Sequence, residues 1–493
     1  MALWPAFEAA GIRIVGCRHE QGCAYAADGY ARSTGKLGVA LVTTGPGAAN
    51  TLGAVGEAWA SKSPVLVIAT DIPSNLRRDG VYTGVLHECQ DQAGLFKPVT
   101  KTTTRDIHEA IDTALSAPQG HTYYEIPTDK LRQHEQPLPK PKPQLLPLPL
   151  DANIFPTDIG ERPLIWVGGG AKHAHEQIDA FARRVGAPVI ATYSARGVLP
   201  AGHSHLVPVP PHEPAVASFI AQSDCIIVIG SDLDAMNTMA FKLPLPARRI
   251  AINVDAADAA KNYQFDSVIE VDASNIDAWT GSLTQRDPWF GDLAVLEKTV
   301  RAELRDDAAT AESVCFVEDT ERALRNNANP VVFADMCVAG YWAASYIQVS
   351  RPRGLHYPMG WGTLGWAFPA SIGPASADIP SVAFVGDGGM LFALGELATV
   401  AQEQLPLTVV VVDDGGYGML RYPASDALGC ELAPVDFVAV AKGFGITACC
   451  VGGVGDEYSK ALAESLSSRA PRLVHVKARL FPPRTTSPRW PIK

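Results

Sequence analysis

Cysteine is scarce in this sequence and never forms a CxxC pair. Nine residues lie at positions 17, 23, 89, 225, 315, 337, 430, 449 and 450, with no CxxC among them. An odd number at wide spacing argues against a disulfide framework and suits a reduced chain, so a cytoplasmic location is expected. No run of eighteen apolar residues is free of charge and turn signals, and no membrane span is expected. No basic segment precedes an apolar run at the N-terminus, so no signal peptide is visible. Positive charge is also in deficit. Lys and Arg number 41 against 52 Asp and Glu, a formal net charge of −11, which disfavours a general affinity for nucleic acid or anionic membrane. Charged residues make up 19% and hydrophobic ones 47%, too apolar a mixture for disorder throughout. A GxGxxG loop in a strand–turn–helix setting is missing, which disfavours a nicotinamide dehydrogenase.

What is present is a repeated alternation. At 493 residues the chain exceeds one ordinary core, and two or three domains are expected. Residues 1–132 hold the short apolar runs 38–44, 64–70 and 123–126 between Ala- and Gly-rich helical stretches. The stretch from Gln133 to Pro149, QHEQPLPKPKPQLLPLP, is too rich in proline for helix or sheet interior and reads as a spacer. Residues 150–290 carry strand candidates at 164–168, 188–191, 225–230 and 249–254. Residues 310–480 carry others at 331–334, 382–385, 407–412 and 473–476, with the clearest helix at 392–404. Buried strands alternating with helices give an α/β class with doubly wound parallel sheets.

The densest chemistry lies at 381–421. An apolar strand ends in Gly386-Asp387-Gly388-Gly389, and the next ends in Asp413-Asp414-Gly415-Gly416-Tyr417-Gly418. Consecutive parallel strands set their C-terminal ends side by side, where ligands gather in open α/β sheets, so Asp387 and Asp414 are expected to converge. Two carboxylates with backbone carbonyls and phosphate oxygens suit Mg²⁺. The glycines let the backbone approach a diphosphate. Two ordinary strand-end acids, capping or solvated, are the plainer alternative.

Three stretches together carry a family resemblance. The first is Gly386-Asp387-Gly388 with Asp414 following 27 positions after Asp387. The second is Arg18-His19-Glu20-Gln21, continued by GCAYAADGYARSTGK and Thr44-Gly45-Pro46-Gly47-Ala48-Ala49-Asn50. The third is Gly362-Thr363-Leu364-Gly365. The chain resembles the thiamine-diphosphate-dependent enzymes that include acetolactate synthase and the 2-oxo acid decarboxylases. The resemblance implies three domains in the order pyrimidine-binding, central and diphosphate-binding. It implies thiamine diphosphate and Mg²⁺ as cofactors, a 2-oxo acid as substrate, and decarboxylation or carboligation as the reaction. It also implies a homo-oligomer, dimer or tetramer, with active sites between subunits.

By the same resemblance Glu20, after the strand-like run 12–16, meets the aminopyrimidine and activates the thiazolium carbon. An apolar setting is expected to keep its carboxyl protonated. Asp387, Asp414 and the Gly416 carbonyl are implied as Mg²⁺ ligands. Gly388 and Gly389 are placed at the diphosphate and Leu364 at the cofactor's bend, Tyr417 flanks the same site, and Gly362 and Gly386 are further cofactor-binding residues. His87, Glu88 and His356 are candidates for proton transfer or for recognising a polar substrate end. Glu88 stands in place of a common glutamine, which favours a cationic or polar 2-oxo acid such as a guanidino-bearing one.

The sequence departs from the family in three ways. Asp414 replaces the usual asparagine and adds a negative charge. Relatives begin about 35 to 45 residues earlier, with a first strand and glycine turn, so the pyrimidine-binding domain is short. The central segment runs from Gly202 to Gly230 without the longer glycine-containing stretch of flavin-binding relatives, so no FAD is expected. A catalytically degenerate structural or regulatory paralogue stays open as an alternative.

Overall fold

Apolar, β-branched runs form three sheets, parallel throughout, in a computed structural model that describes residues 3–78, 80–133, 155–325, 327, 329–422 and 428–490. Apart from Gln133, the proline-rich spacer lies outside the described residues. The first sheet contains β1 (Gly38–Val42), β2 (Val65–Asp71), β3 (Thr102–Thr104) and β4 (Thr122–Pro127) in the order β1-β2-β4-β3. The second contains β5 (Pro163–Val167), β6 (Val189–Ala191), β7 (Cys225–Ile229), β8 (Arg248–Asn253) and β9 (Ser267–Glu270) in the order β6-β5-β7-β8-β9. The third contains β10 (Val331–Ala334), β11 (Leu355–His356), β12 (Ser381–Gly386), β13 (Leu407–Asp413), β14 (Thr447–Val451) and β15 (Arg472–Lys477) in the order β11-β10-β12-β13-β15-β14. The central strands β5, β7, β10 and β12 are buried along their whole length. That burial explains why they read as unbroken apolar runs rather than alternating ones. In the third sheet the winding reverses between β10 and β12, which opens a crevice at their C-terminal ends.

Two expectations about elements are corrected. Residues 12–16 form no strand, and Ile12 and Ile14 are exposed. Instead the segment is strapped to the third domain. Arg13 donates to the Ser376 carbonyl (2.6 Å) and to Glu403 (2.9 Å), and Arg18 donates to Gln402 (2.7 Å). The helix expected at 392–404 is broken into Asp387–Phe392, a tight turn Leu394–Glu396 and Leu397–Gln402. The carboxylate of Glu396 in that turn is needed elsewhere, as described below.

The first and third domains meet along two helices, Glu20–Thr34 and Ala367–Ser376. A Cβ on Gly29 would sit 1.9 Å from the Ala370 carbonyl oxygen, and one on Gly373 would sit 2.0 Å from that of Ala26. Only glycine permits so close a crossing. Beside it lies a buried charge network. Arg32 pairs with Asp28 (2.8 Å) and Glu57 (3.0 Å), and its guanidinium lies 4.8 Å from the Trp366 ring centroid. The indole N–H of Trp366 donates to Asp28 (3.0 Å). Glu57 Oε2 in turn accepts the N–H groups of Trp361 (2.8 Å) and Gly362 (3.3 Å). The network thus fixes the loop that carries Leu364.

Candidate active site

The strand-end acids converge as their spacing requires. β12 and β13 are parallel neighbours with Gly386 opposite Val412, so Asp387 and Asp414 leave the same edge of the sheet. Asp387 is buried, and its carboxyl is pushed up to about 7, first by burial and then by the charges of Asp414 and Asp413. Burial also raises the Asp414 carboxyl, against the pull of the Arg421 guanidinium. Asp414 Oδ1 faces Arg421 Nη1 at 3.3 Å but has no hydrogen bond of normal geometry, although it is buried. Asp413 turns the other way, with Oδ2 2.8 Å from His475 Nε2 on β15 and Oδ1 accepting the Gly415 N–H (3.0 Å).

The loop after β13 is folded tightly around these acids. Gly416 pairs with Glu431 in a short antiparallel bridge, and a Cβ there would lie 2.0 Å from the Cys430 carbonyl oxygen. A Cβ on Gly418 would lie 1.9 Å from Asp414 Oδ2, and one on Gly388 would lie 2.7 Å from the Tyr417 ring. Tyr417 donates its N–H to the Cys430 carbonyl (2.8 Å), which sets the ring beside Gly388. Among the described residues no group of three or more His, Cys, Asp or Glu side chains is arranged to hold a metal. The donor set that does exist is two crowded, poorly solvated carboxylates, one with an unsatisfied oxygen. A hard divalent cation fits such a set when backbone carbonyls and ligand oxygens complete it.

Across the crevice, Asp335 follows β10 and is fully buried. Its carboxylate accepts the N–H groups of Gly365 (2.9 Å), Trp366 (2.9 Å) and Ala367 (3.2 Å). Burial nevertheless raises its carboxyl to about 6, against those hydrogen bonds. Sequence reasoning missed Asp335, although an acid directly after a strand was the available signal. Gly362 adopts the left-handed conformation (φ +67°) at the head of this loop. Leu364 is not plain core. It is 37% exposed and lines a small cleft with His19, Gly22, Tyr25, Phe392 and Glu396.

Glu20 is the first residue of helix Glu20–Thr34. Its Oε2 accepts from Asn50 (3.1 Å), and its Oε1 lies 3.4 Å from where a Cβ on Gly47 would be. The RHEQ and TGPGAAN stretches therefore meet at one carboxylate. The expected apolar shield is incomplete within one chain, where Glu20 is half-buried. Glu396 holds this helix start in place. Its carboxylate accepts the N–H groups of Arg18 and His19 (3.0 Å each) and the hydroxyl of Thr399 (2.6 Å). Among the described residues no hydrogen bond or ion pair joins Glu20 to Asp387 or Asp414.

The remaining candidates are placed less suggestively. His87 is exposed with positive φ, and its carbonyl oxygen packs against Gly45. Glu88 Oε2 accepts the N–H groups of Thr83, Gly84 (2.9 Å each) and Val85 (3.2 Å) and the Thr83 hydroxyl (2.9 Å). These bonds hold its carboxyl below the usual range and give it a turn to stabilise. His356 is buried on β11 against Phe333, its Nε2 is unpartnered, and burial drives its imidazole well below the ordinary value. It stays neutral and out of reach of solvent. Gln92, which no motif singled out, is the buried link. Its Oε1 accepts the Gly45 N–H (2.5 Å), while its amide donates to Tyr123 (2.8 Å) and Glu125 (3.2 Å).

Known proteins match this arrangement along the chain. Residues 1–95 match the family description "Thiamine pyrophosphate enzyme, N-terminal TPP binding domain", residues 159–276 its central domain and residues 335–476 its C-terminal TPP binding domain. A protein of Pseudomonas aeruginosa named as a probable 2-ketoarginine decarboxylase is 30% identical, with 90% of this chain and 84% of that protein covered. The probable acetolactate synthase large subunit of Methanocaldococcus jannaschii is 28% identical, over 93% of this chain and 84% of that protein. The solved structure of the Rhodococcus jostii thiamine diphosphate-dependent 4-hydroxybenzoylformate decarboxylase shares the fold. Its TM-score is 0.74 at 20% identity, over 95% of this chain and 92% of that one. The chain therefore belongs to the thiamine-diphosphate-dependent enzyme family of the acetolactate synthase and 2-oxo acid decarboxylase type.

Proposed function

We propose that this protein decarboxylates, or carboligates from, a 2-oxo acid with thiamine diphosphate and Mg²⁺, as a homo-oligomer with active sites between subunits. The observation that carries the reading is the Asp387–Asp414 pair at the crevice, crowded and with one oxygen unsatisfied. Asp387, Asp414 and the Gly416 carbonyl would hold the cation, and Gly386, Gly388 and Gly389 would lie against the diphosphate. Asp414 carries one negative charge more than an amide would, and the cation and Arg421 balance it. Asp335 fixes the loop that presents Leu364 to the cofactor's bend. Glu20, half-open in one chain, would meet the pyrimidine supplied against a second chain, which would complete its shield. The bound cofactor supplies the nucleophilic carbon and the electron sink for loss of CO₂.

No flavin belongs to this reading, and an absorbance spectrum free of flavin bands is expected. Decarboxylation and carboligation differ only in whether a proton or a second carbonyl traps the product carbon. Loss of activity in a family scaffold is the competing reading, and one experiment decides between them. The purified protein is titrated calorimetrically with thiamine diphosphate and Mg²⁺, then assayed for CO₂ release from a panel of 2-oxo acids with and without an acceptor aldehyde. Saturable heat and cofactor-dependent CO₂ are expected; their absence would establish a degenerate paralogue. A guanidino-bearing acid is a second substrate reading, carried by the relative of that name. Glu88 could serve it only through Oε1, because Oε2 is occupied.

A further inference from the structure

A partly enclosed cavity of about 140 Å³ opens beside the site, where the central domain, the third domain and the segment 485–487 meet. Met236, Met336, Met359 and Met419 all line it, so four of the chain's seven methionines converge on one space. Two of them adjoin the site. Met336 follows Asp335, and its methyl group lies 2.8 Å from where a Cβ on Gly362 would be. Met419 follows Tyr417-Gly418. Among the described residues no Asp, Glu, Lys or Arg lines the cavity, and its polar groups are tyrosine, serine and threonine hydroxyls, Tyr341 and Thr485 to Ser487 among them. The Tyr193 hydroxyl is engaged by Ser345 (3.3 Å), and that of Tyr357 points at Met336 Sδ (2.9 Å). Thioether chains mould themselves to irregular apolar shapes. An apolar cavity of roughly 150 Å³ holds a benzene-sized molecule.

We infer that this cavity receives the side chain of the 2-oxo acid, and that this side chain is apolar, of aryl or branched-alkyl size. The inference rests on the 2-oxo acid chemistry proposed above and narrows it. A methyl group leaves the space unfilled, so pyruvate gains little there. A guanidinium would lose its water with no carboxylate facing it, which selects against that substrate. The chain is thereby separated in specificity from its relative named for 2-ketoarginine.

The test uses the holoprotein with thiamine diphosphate and Mg²⁺. It is offered phenylglyoxylate, 4-methyl-2-oxopentanoate, pyruvate and 5-guanidino-2-oxopentanoate, and CO₂ release is followed. One of the first two is expected to exceed both others in kcat/KM by roughly tenfold or more. Ala344→Leu reaches into the cavity from helix Val338–Tyr346. It is expected to lower kcat/KM for the preferred acid about tenfold more than for pyruvate. Met236→Ala enlarges the cavity and is expected to shift preference toward a larger ring; it carries the test if the first variant does not fold. Pyruvate or the guanidino acid in front, or an equal loss on every substrate in both variants, overturns the inference and leaves the decarboxylase reading standing. No CO₂ from any acid, with cofactor bound, overturns both.

Discussion

Asp413 and Asp414 are adjacent acids with opposite surroundings. His475 takes the first, and the crevice takes the second. That division makes a testable difference. Asp387→Ala removes one of the two proposed side-chain oxygen donors and is expected to abolish calorimetric binding of thiamine diphosphate with Mg²⁺. Asp414→Asn keeps an oxygen and removes a charge, so binding is expected to stay within about tenfold of the parent. Asp413→Asn should leave it unchanged. Glu57 is a residue of another kind, fully buried and touching no proposed ligand. Glu57→Ala leaves the buried Arg32 with Asp28 as its one ion-pair partner among the described residues and frees the 360–362 loop, and a loss of about 3–5 kcal/mol in urea unfolding is expected. A loss below about 1 kcal/mol would show that the network does not hold the two domains together.

At the scale of elements, the break at 394–396 matters more than either helix beside it. The sequence favours one helix over 392–404, yet Glu396 leaves that regularity to take the N–H groups of Arg18 and His19. Glu396→Gln keeps the shape but loses charge-assisted acceptance worth about 1–2 kcal/mol beyond a neutral bond. A lower melting temperature and a raised KM for thiamine diphosphate are expected, because Glu20 begins the helix that Glu396 anchors. An unchanged KM would uncouple the two. The strands show where sequence reading stops. β3, β9, β11 and β14 were missed, and all four are sheet edges. Edge strands are short or solvent-facing, as the two residues of β11 and the exposed Thr447, Cys449 and Cys450 of β14 show. Without two buried faces they lack the apolar run that reveals a central strand.

For the whole molecule, assembly and acid stability follow from burial. A homodimer or a larger even oligomer is expected in light scattering, because Glu20 is only half-buried within one chain and the proposed site completes its shield with a second. A monomer active in dilute solution would break that reading. His121 is fully buried in the first domain, and burial lowers its imidazole to about 3. The unfolded chain binds a proton there near pH 6.5, whereas the folded chain does so only near its lowered value. Below that unfolded value the unfolded state holds more protons, so stability falls as pH drops from about 6.5 toward 3. In His121→Leu, urea melts at pH 7 and pH 5 should differ less than in the parent, by up to about 1.4 kcal/mol per pH unit.

The amino-acid order by itself determined the α/β class, the central strands and the strand-end acids. These depend on local apolar runs and on turn glycines that sit where the chain reverses. It also determined the family, because RHEQ, TGPG and GDG are contiguous stretches. Only the tertiary structure decided which of two neighbouring aspartates faces the crevice, that Glu88 serves a turn, that Leu364 is open to a cleft, and that Asp335, Gln92 and Glu396 hold the loops around it. Apart from Glu88, whose partners lie three to five residues back in its own turn, those outcomes depend on partners tens or hundreds of residues away, and no local pattern encodes which buried donor a carboxylate will find once the domains close on one another.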